Sequence, residues 1–156
     1  MTCKGGALHW MPGVPVCAYA AVAEHNGRLH QSVEGRLVTI INHKGTLYCI
    51  DRLCYHAGLP LTDGVVVEDI EDTPCLDCPW HHYKVSLATG EGFYRGLEFV
   101  DGKPVPTGWK SKGRKQRTHE VEVRDDGIVY VHIDDGSDGA AVDSDRFATR
   151  PDKQNV

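Results

Sequence analysis

The chain has no apolar run approaching the roughly 20 residues that a helix needs to cross a bilayer. It also has no long stretch in which apolar residues recur with a helical period. Basic residues are not in excess: 17 Lys and Arg stand against 22 Asp and Glu, a net charge of −5. General affinity for nucleic acid is therefore not expected. Met1 to Val14 lacks a charged region followed by an apolar run, so no secretory signal is expected. The six cysteines lack the regular spacing of a disulfide framework, which favours a reducing compartment. These absences together lead us to expect a soluble, cytoplasmic protein without membrane insertion. What is plentiful is turn chemistry. With 17 glycines, 8 prolines and 40% apolar residues in 156, the composition suits a loop-rich β protein with one core.

Two short pairs stand out, Cys54-Tyr55-His56 and Cys78-Pro79-Trp80-His81, with 21 residues between them. Each couples a thiol to an imidazole. Ligands two positions apart close too short a ring to share one metal ion easily. They can instead reach two metals bridged by sulfide, one each. The second pair can repeat the arrangement from the opposite side. Two sulfurs on one iron and two nitrogens on the other describe a [2Fe–2S] cluster of mixed ligation. A structural zinc site is the competing reading, because zinc accepts both residue types and Cys75-Leu76-Asp77-Cys78 supplies a Cys-x-x-Cys. Neither Cys54-x-His56 nor the proline after Cys78 is expected of a zinc finger. Cys75 reads as a strand thiol leading into the second pair.

The segments Cys-Tyr-His-Ala-Gly-Leu-Pro-Leu (54–61) and Cys-Pro-Trp-His-His-Tyr-Lys-Val-Ser-Leu-Ala-Thr-Gly-Glu-Gly (78–92) resemble the two cluster loops of Rieske proteins. Trp109-Lys110-Ser111-Lys112-Gly113 and Lys115-Gln116-Arg117 extend the likeness. Over roughly 14–133 the chain resembles the small eukaryotic Rieske-domain proteins, a Rieske-type ferredoxin group. The resemblance implies an all-β Rieske fold, with an antiparallel base and a small cluster-binding subdomain inserted at about 52–96. It implies one [2Fe–2S] cluster per chain, with Cys54 and Cys78 on the inner iron and His56 and His81 on the outer. In the cytochrome-complex branch, each loop adds a cysteine and the two form a disulfide. Leu59 and Trp80 occupy those positions here, so that bridge is impossible. High-potential relatives place a serine two residues after the last histidine ligand and a tyrosine four after, where their hydroxyls stabilise the reduced form. Tyr83 and Val85 stand there, and Val85 cannot donate. A potential toward the low end of the Rieske range, about −150 to +300 mV, is expected.

The chain reads in order as follows. Residues 1–13 look like a loose segment, and Val14–Ala23 reads as a strand. Leu37–Ile41 and Thr46–Ile50 are strands flanking a His43-Lys44-Gly45 hairpin loop. Tyr83–Leu87 leaves the second pair and ends in an Ala88-Thr89-Gly90 turn. Val121–Arg124 and Ile128–Ile133 flank Asp125-Asp126-Gly127. Residues 134–156 carry six acidic and three basic residues and read as a polar, disordered tail. Gly58, Gly90 and Gly92 are expected to supply turn conformations, Trp80 to shield the cluster, and His82 to be a surface group.

Asp63 to Asp77 contains six acidic residues and no basic one, and could steer a basic partner or simply be solvated. Lys110, Lys112, Arg114, Lys115 and Arg117 could dock an acidic partner or a phosphate, but read better as a solvated connection before the 121–124 strand, without a stacking platform for nucleic acid. The function expected is a monomeric one-electron carrier between a reductase and a terminal acceptor such as an oxygenase, with no catalysis of its own. A redox-sensing interaction module and a small subunit of a larger reductase are the alternatives. A complete oxygenase would need a further mononuclear iron domain.

Overall fold

The computed structural model describes residues 13–24, 27–137 and 139–149. The core of its base is built where the sequence is most uniformly apolar. Strand β3 (Arg36–His43) is buried through Leu37, Val38, Thr39, Ile40 and Ile41, as befits a strand covered on both faces. It pairs with β2 (Arg28–Val33) on one side and β4 (Thr46–Asp51) on the other. The β3–β4 turn has positive φ at Lys44 (53°) and Gly45 (86°), the left-handed pair that suits a tight hairpin. Strand β4 meets β10 (Thr118–Val123), β10 meets β11 (Ile128–His132), and β11 meets β1 (Val14–Ala18). This gives an antiparallel six-stranded base in the order β1-β11-β10-β4-β3-β2.

The strand expected over Val14–Ala23 stops at Ala18. Tyr19–Glu24 is a short helix, α1. Its Tyr-Ala-Ala-Val-Ala-Glu sequence favours helix, and Val22 alone needs burial, at 0% exposure in the base core beside Val38, Ile40 and Val129.

A second antiparallel sheet holds β5 (Val65–Ile70), β6 (Thr73–Asp77), β7 (Lys84–Ser86), β8 (Glu91–Val100) and β9 (Lys103–Arg114), in that order. The acidic stretch between the two Cys/His pairs is thus a hairpin, β5–β6, turning at Glu71 and Asp72. The insertion expected at about 52–96 is longer in strands, because the β8–β9 hairpin carries its sheet on to Arg114. That hairpin was not legible as one. Its apolar residues Leu97, Phe99, Val100 and Val105 are exposed, so no core pattern marks it. The basic residues Lys110, Lys112 and Arg114 lie in β9 and do not form a connecting loop.

The acidic-rich segment after residue 134 is not a loose tail over its described part. Asp134, Val142, Ser144, Phe147 and Ala148 are buried, and Asp143–Phe147 forms a 3-10 turn. Composition misled here because the charges are paired inward. Asp51, at the end of β4, is the hub. It accepts from Arg36 Nε and Nη2 at 2.7 and 2.6 Å, from His119 Nε2 at 2.8 Å and from Ser144 Oγ at 2.7 Å. Asp145 accepts from Arg36 Nη2 at 2.6 Å and from Arg117 Nε and Nη2 at 2.7 and 2.8 Å. Leu37 N–H donates to the Ala148 carbonyl and Ser144 N–H to the Lys115 carbonyl. The parts of 1–13 and 134–156 that fall at 1–12, 138 and 150–156 lie outside the described residues.

Burial opposes ionisation of Asp51, but the hydrogen bonds from Arg36 and His119 outweigh it and hold its carboxyl below the usual range. Asp134 and Asp145 are depressed in the same way, against burial, by hydrogen bonds and the nearby Arg117 charge. His119 is lowered by burial, so the folded ring stays neutral. Its Nε2–H donates to Asp51 and its Nδ1 accepts from the Asp134 N–H at 3.0 Å. Below about pH 6.5 the unfolded chain takes up a proton at His119 that the fold refuses, so stability begins to fall. Below about pH 4 the three carboxylates add a steeper loss as pH passes down through their lower folded values. Urea titrations across pH 3–8 should show both stages. Asp51→Asn takes from buried Arg36 one of its two carboxylate partners and breaks the charged bond to His119, and should cost about 3 kcal/mol in the urea unfolding free energy at pH 7. A cost below about 1 kcal/mol would show that the network does not anchor the fold.

Candidate cluster site

The two Cys/His segments are the turns at the ends of β4 and β6, and their backbones obey one rule. Cys54 N–H donates to the Leu59 carbonyl at 2.7 Å, and Cys78 N–H to the Tyr83 carbonyl at 2.9 Å. The Cys54 carbonyl accepts from Gly58 N–H, and the Cys78 carbonyl from His82 N–H, both at 2.8 Å. Each cysteine side chain faces two backbone N–H groups of its own loop. Those of His56 and Ala57 serve Cys54, and those of Trp80 and His81 serve Cys78. Such paired amides form a pocket for negative charge.

The residue four after each cysteine must be left-handed, and φ is +72° at Gly58 and +59° at His82. Gly58 is required twice over, since a Cβ there would lie 2.6 Å from Phe147 Cδ1. His82 meets the same backbone demand without being glycine. Its exposed ring lies 3.2 Å from Asp77 Oδ1, which agrees with the surface role expected of it. Gly90 is needed for close approach, because a Cβ would fall 1.8 Å from the Gln116 carbonyl oxygen.

The four candidate ligands gather in one place and sort themselves by chemistry. Cys54 and Cys78 are 2% and 1% exposed and hydrogen-bond to each other. The Cys54 thiol and the loop amides bring Cys78 down to about 6 against its burial, while the partner thiol and burial push Cys54 up. His56 and His81 sit at the exposed end, Nδ1 to Nδ1 at 3.2 Å, with ring planes 85° apart. Burial, His81, and the cations Lys112 and Arg146 lower the His56 pKa and keep that ring neutral. Among the described residues, no three His, Cys, Asp or Glu side chains converge on one ion position. Sulfur donors at the buried end and nitrogen donors at the open end fit a two-metal cluster of mixed ligation better than a single zinc ion. Cys75 is fully buried on β6, away from the donor set, as a strand thiol.

Several residues around this site were not legible in the sequence. Tyr83 lies flat on His56, with ring centroids 4.1 Å apart and planes at 14°. Lys112 Nζ sits 4.3 Å from the Tyr83 centroid and 3.4 Å from the Tyr55 hydroxyl. The buried Gln116 side chain accepts from Tyr55 N–H at 2.9 Å and donates to the Asp51 and Leu53 carbonyls at 2.9 and 2.7 Å. Arg146 donates to the Tyr55 carbonyl at 2.6 Å. The signals for these were the resemblances that place Tyr83 after the second pair, Lys112 in 109–113 and Gln116 in Lys115-Gln116-Arg117; Gln116 and Arg117 are both buried, and Arg117 is not the solvated charge expected. Trp80 is 45% exposed and does not bury itself over the cysteines. Val85 is in the core against Leu76 and Leu87 and brings no hydroxyl to the site.

No helix among the described residues is long and apolar enough to cross a membrane. The fold is shared with the Sphingomonas yanoikuyae B1 ferredoxin, at TM-score 0.50 and 20% identity over 78% of this chain and 98% of that one. It is shared likewise with the ferredoxin of carbazole 1,9a-dioxygenase from Nocardioides aromaticivorans IC177, at TM-score 0.51 and 20% identity over 76% and 95%. A human Rieske domain-containing protein is 44% identical over 122 residues, 78% of this chain and 74% of the relative. The sequence pattern of soluble Rieske-type ferredoxins matches residues 19–136. With its paired cysteine–histidine loops on an antiparallel β base, the chain belongs to the soluble Rieske-type ferredoxin family.

Proposed function

We propose that Cys54, His56, Cys78 and His81 hold one [2Fe–2S] cluster and that the protein carries single electrons from a reductase to a terminal acceptor such as an oxygenase. The observation that carries this reading is the segregation of donors, with two thiols buried and two imidazoles exposed on matched turns. When bound, the cluster supplies reversible one-electron chemistry without bond making in a substrate. The protein's own part is positional. The loop amides compensate thiolate charge, Gln116 and Arg146 hold the first turn, and Tyr83 fixes the plane of the His56 ring. A ferredoxin bound to its oxygenase, that of carbazole 1,9a-dioxygenase, shares the fold at TM-score 0.51 and 21% identity over 77% of this chain and 92% of that one. It supports an oxygenase as the class of acceptor.

Anaerobically purified protein should contain iron and acid-labile sulfide in equal amounts, two of each per chain, and gain an EPR signal on reduction. Cys78→Ser should lose both. A lone zinc ion in the native protein would overturn the assignment.

The reading includes a low potential. Val85 has no hydroxyl, and Tyr83 is committed to stacking on His56. Protein-film voltammetry should place the midpoint below zero. Tyr83→Ser frees the ring and supplies a small O–H donor, and should raise the midpoint on the order of tens of millivolts. A wild-type midpoint well above zero would contradict this part alone.

A further inference from the structure

The five-stranded sheet is electrically lopsided. The β5–β6 hairpin at one edge carries Glu68, Asp69, Glu71, Asp72 and Asp77, and the β9 edge carries Lys103, Lys110, Lys112 and Arg114. The turn bearing His81 joins β6 to β7 between them. Part of the acidic charge is already met: Glu68 pairs with Lys44 at 2.6 Å and with His43 at 2.9 Å, and Asp77 with Lys84 at 3.0 Å. Among the described residues, neither Arg95 nor Lys112 has a carboxylate within ion-pair distance. They rest on aromatic rings instead, Arg95 at 5.4 Å from Trp109 and Lys112 at 4.3 Å from Tyr83.

The two histidines are also unequal. Tyr83 covers one face of His56, and Arg146 holds the backbone beneath it. His81 instead forms part of the wall of an open cleft of about 300 Å³ between its own turn and the β8–β9 hairpin. Tyr94, Arg95, Trp109 and Lys112 form the facing wall, and no Asp or Glu lines it. Beyond the cleft β9 adds Lys103 and Lys110, while Arg114 is already paired with Asp134 at 3.3 Å. Two cations on separate aromatic faces match a chain of carboxylates better than one small anion.

We infer that this cleft is the docking site for an acidic segment of a partner protein, which reaches the site at His81 rather than at His56. Its carboxylates meet Arg95 and Lys112, and its apolar side chains lie on Tyr94 and Trp109. That the partner is a redox protein rests on the electron-carrier reading.

The test uses octaglutamate as the probe, titrated into the full chain while the Trp109 indole N–H is followed by NMR. Saturable shifts of that signal are expected. Arg95→Glu should weaken binding by about threefold or more, whereas the charge-matched Lys44→Glu at the acidic edge should leave it unchanged. Equal weakening by both variants would show a net-charge effect and overturn the site. Inorganic phosphate binding as tightly as the peptide would make the cleft a small-anion site and equally overturn the inference. A second measurement follows oxidation of the reduced protein by hexacyanoferrate(III), which takes one electron and becomes hexacyanoferrate(II). Its rate should fall with added salt despite the net charge of −5. A rate that rises with salt would remove local attraction at His81. Absence of iron and sulfide would defeat the cluster reading alone, because the peptide titration judges the cleft with or without a cluster.

Discussion

The carboxylate of Asp51 ties three distant parts of the chain to the base of the first turn. Arg36 approaches it from β3, His119 from β10 and Ser144 from the last turn of the described chain. Its own backbone carbonyl accepts from Gln116, whose side chain also grips Leu53 and Tyr55. A buried anion is costly unless each lone pair is answered. Once it is answered, Cys54 begins its turn three residues from a fixed point. The base thus fixes where the first loop starts, and the loop's own Gly58 fixes how it turns.

The two turns then reproduce one backbone solution with different side chains. Both place a cysteine amide on a carbonyl five residues on, and both demand a left-handed residue at the fourth position. The demand is met by glycine in one loop and histidine in the other. Gly58 also leaves room for Phe147, whereas His82 faces solvent and needs no such room. The two turns share this hydrogen-bond pattern although one is a Cys-x-His and the other a Cys-x-x-His.

What was legible in the sequence was local chemistry. Leu37–Ile41, the Lys44-Gly45 turn and the paired cysteine–histidine loops each carry their signal in a few adjacent residues, and each formed where expected. What escaped depends on partners far along the chain. Arg117 looks like surface charge until Asp134 and Asp145 arrive opposite it, and the segment after 134 looks loose for the same reason. Tyr83 occupies a position where a hydroxyl was the feature weighed, yet its ring is what contacts His56. The β8–β9 hairpin offered no inward-facing alternation, because most of its large side chains face water.

The grip of Arg146 on the Tyr55 carbonyl reverses the usual sense of what belongs to the site. The four candidate ligands are all in place by position 81, but the hand that steadies the first turn arrives more than sixty positions later. A fragment that stops soon after the second turn would own every donor atom and still lack the clamp. The smallest piece that reproduces the site as seen here therefore reaches at least to Phe147, and trimming experiments guided by motif boundaries would cut through it.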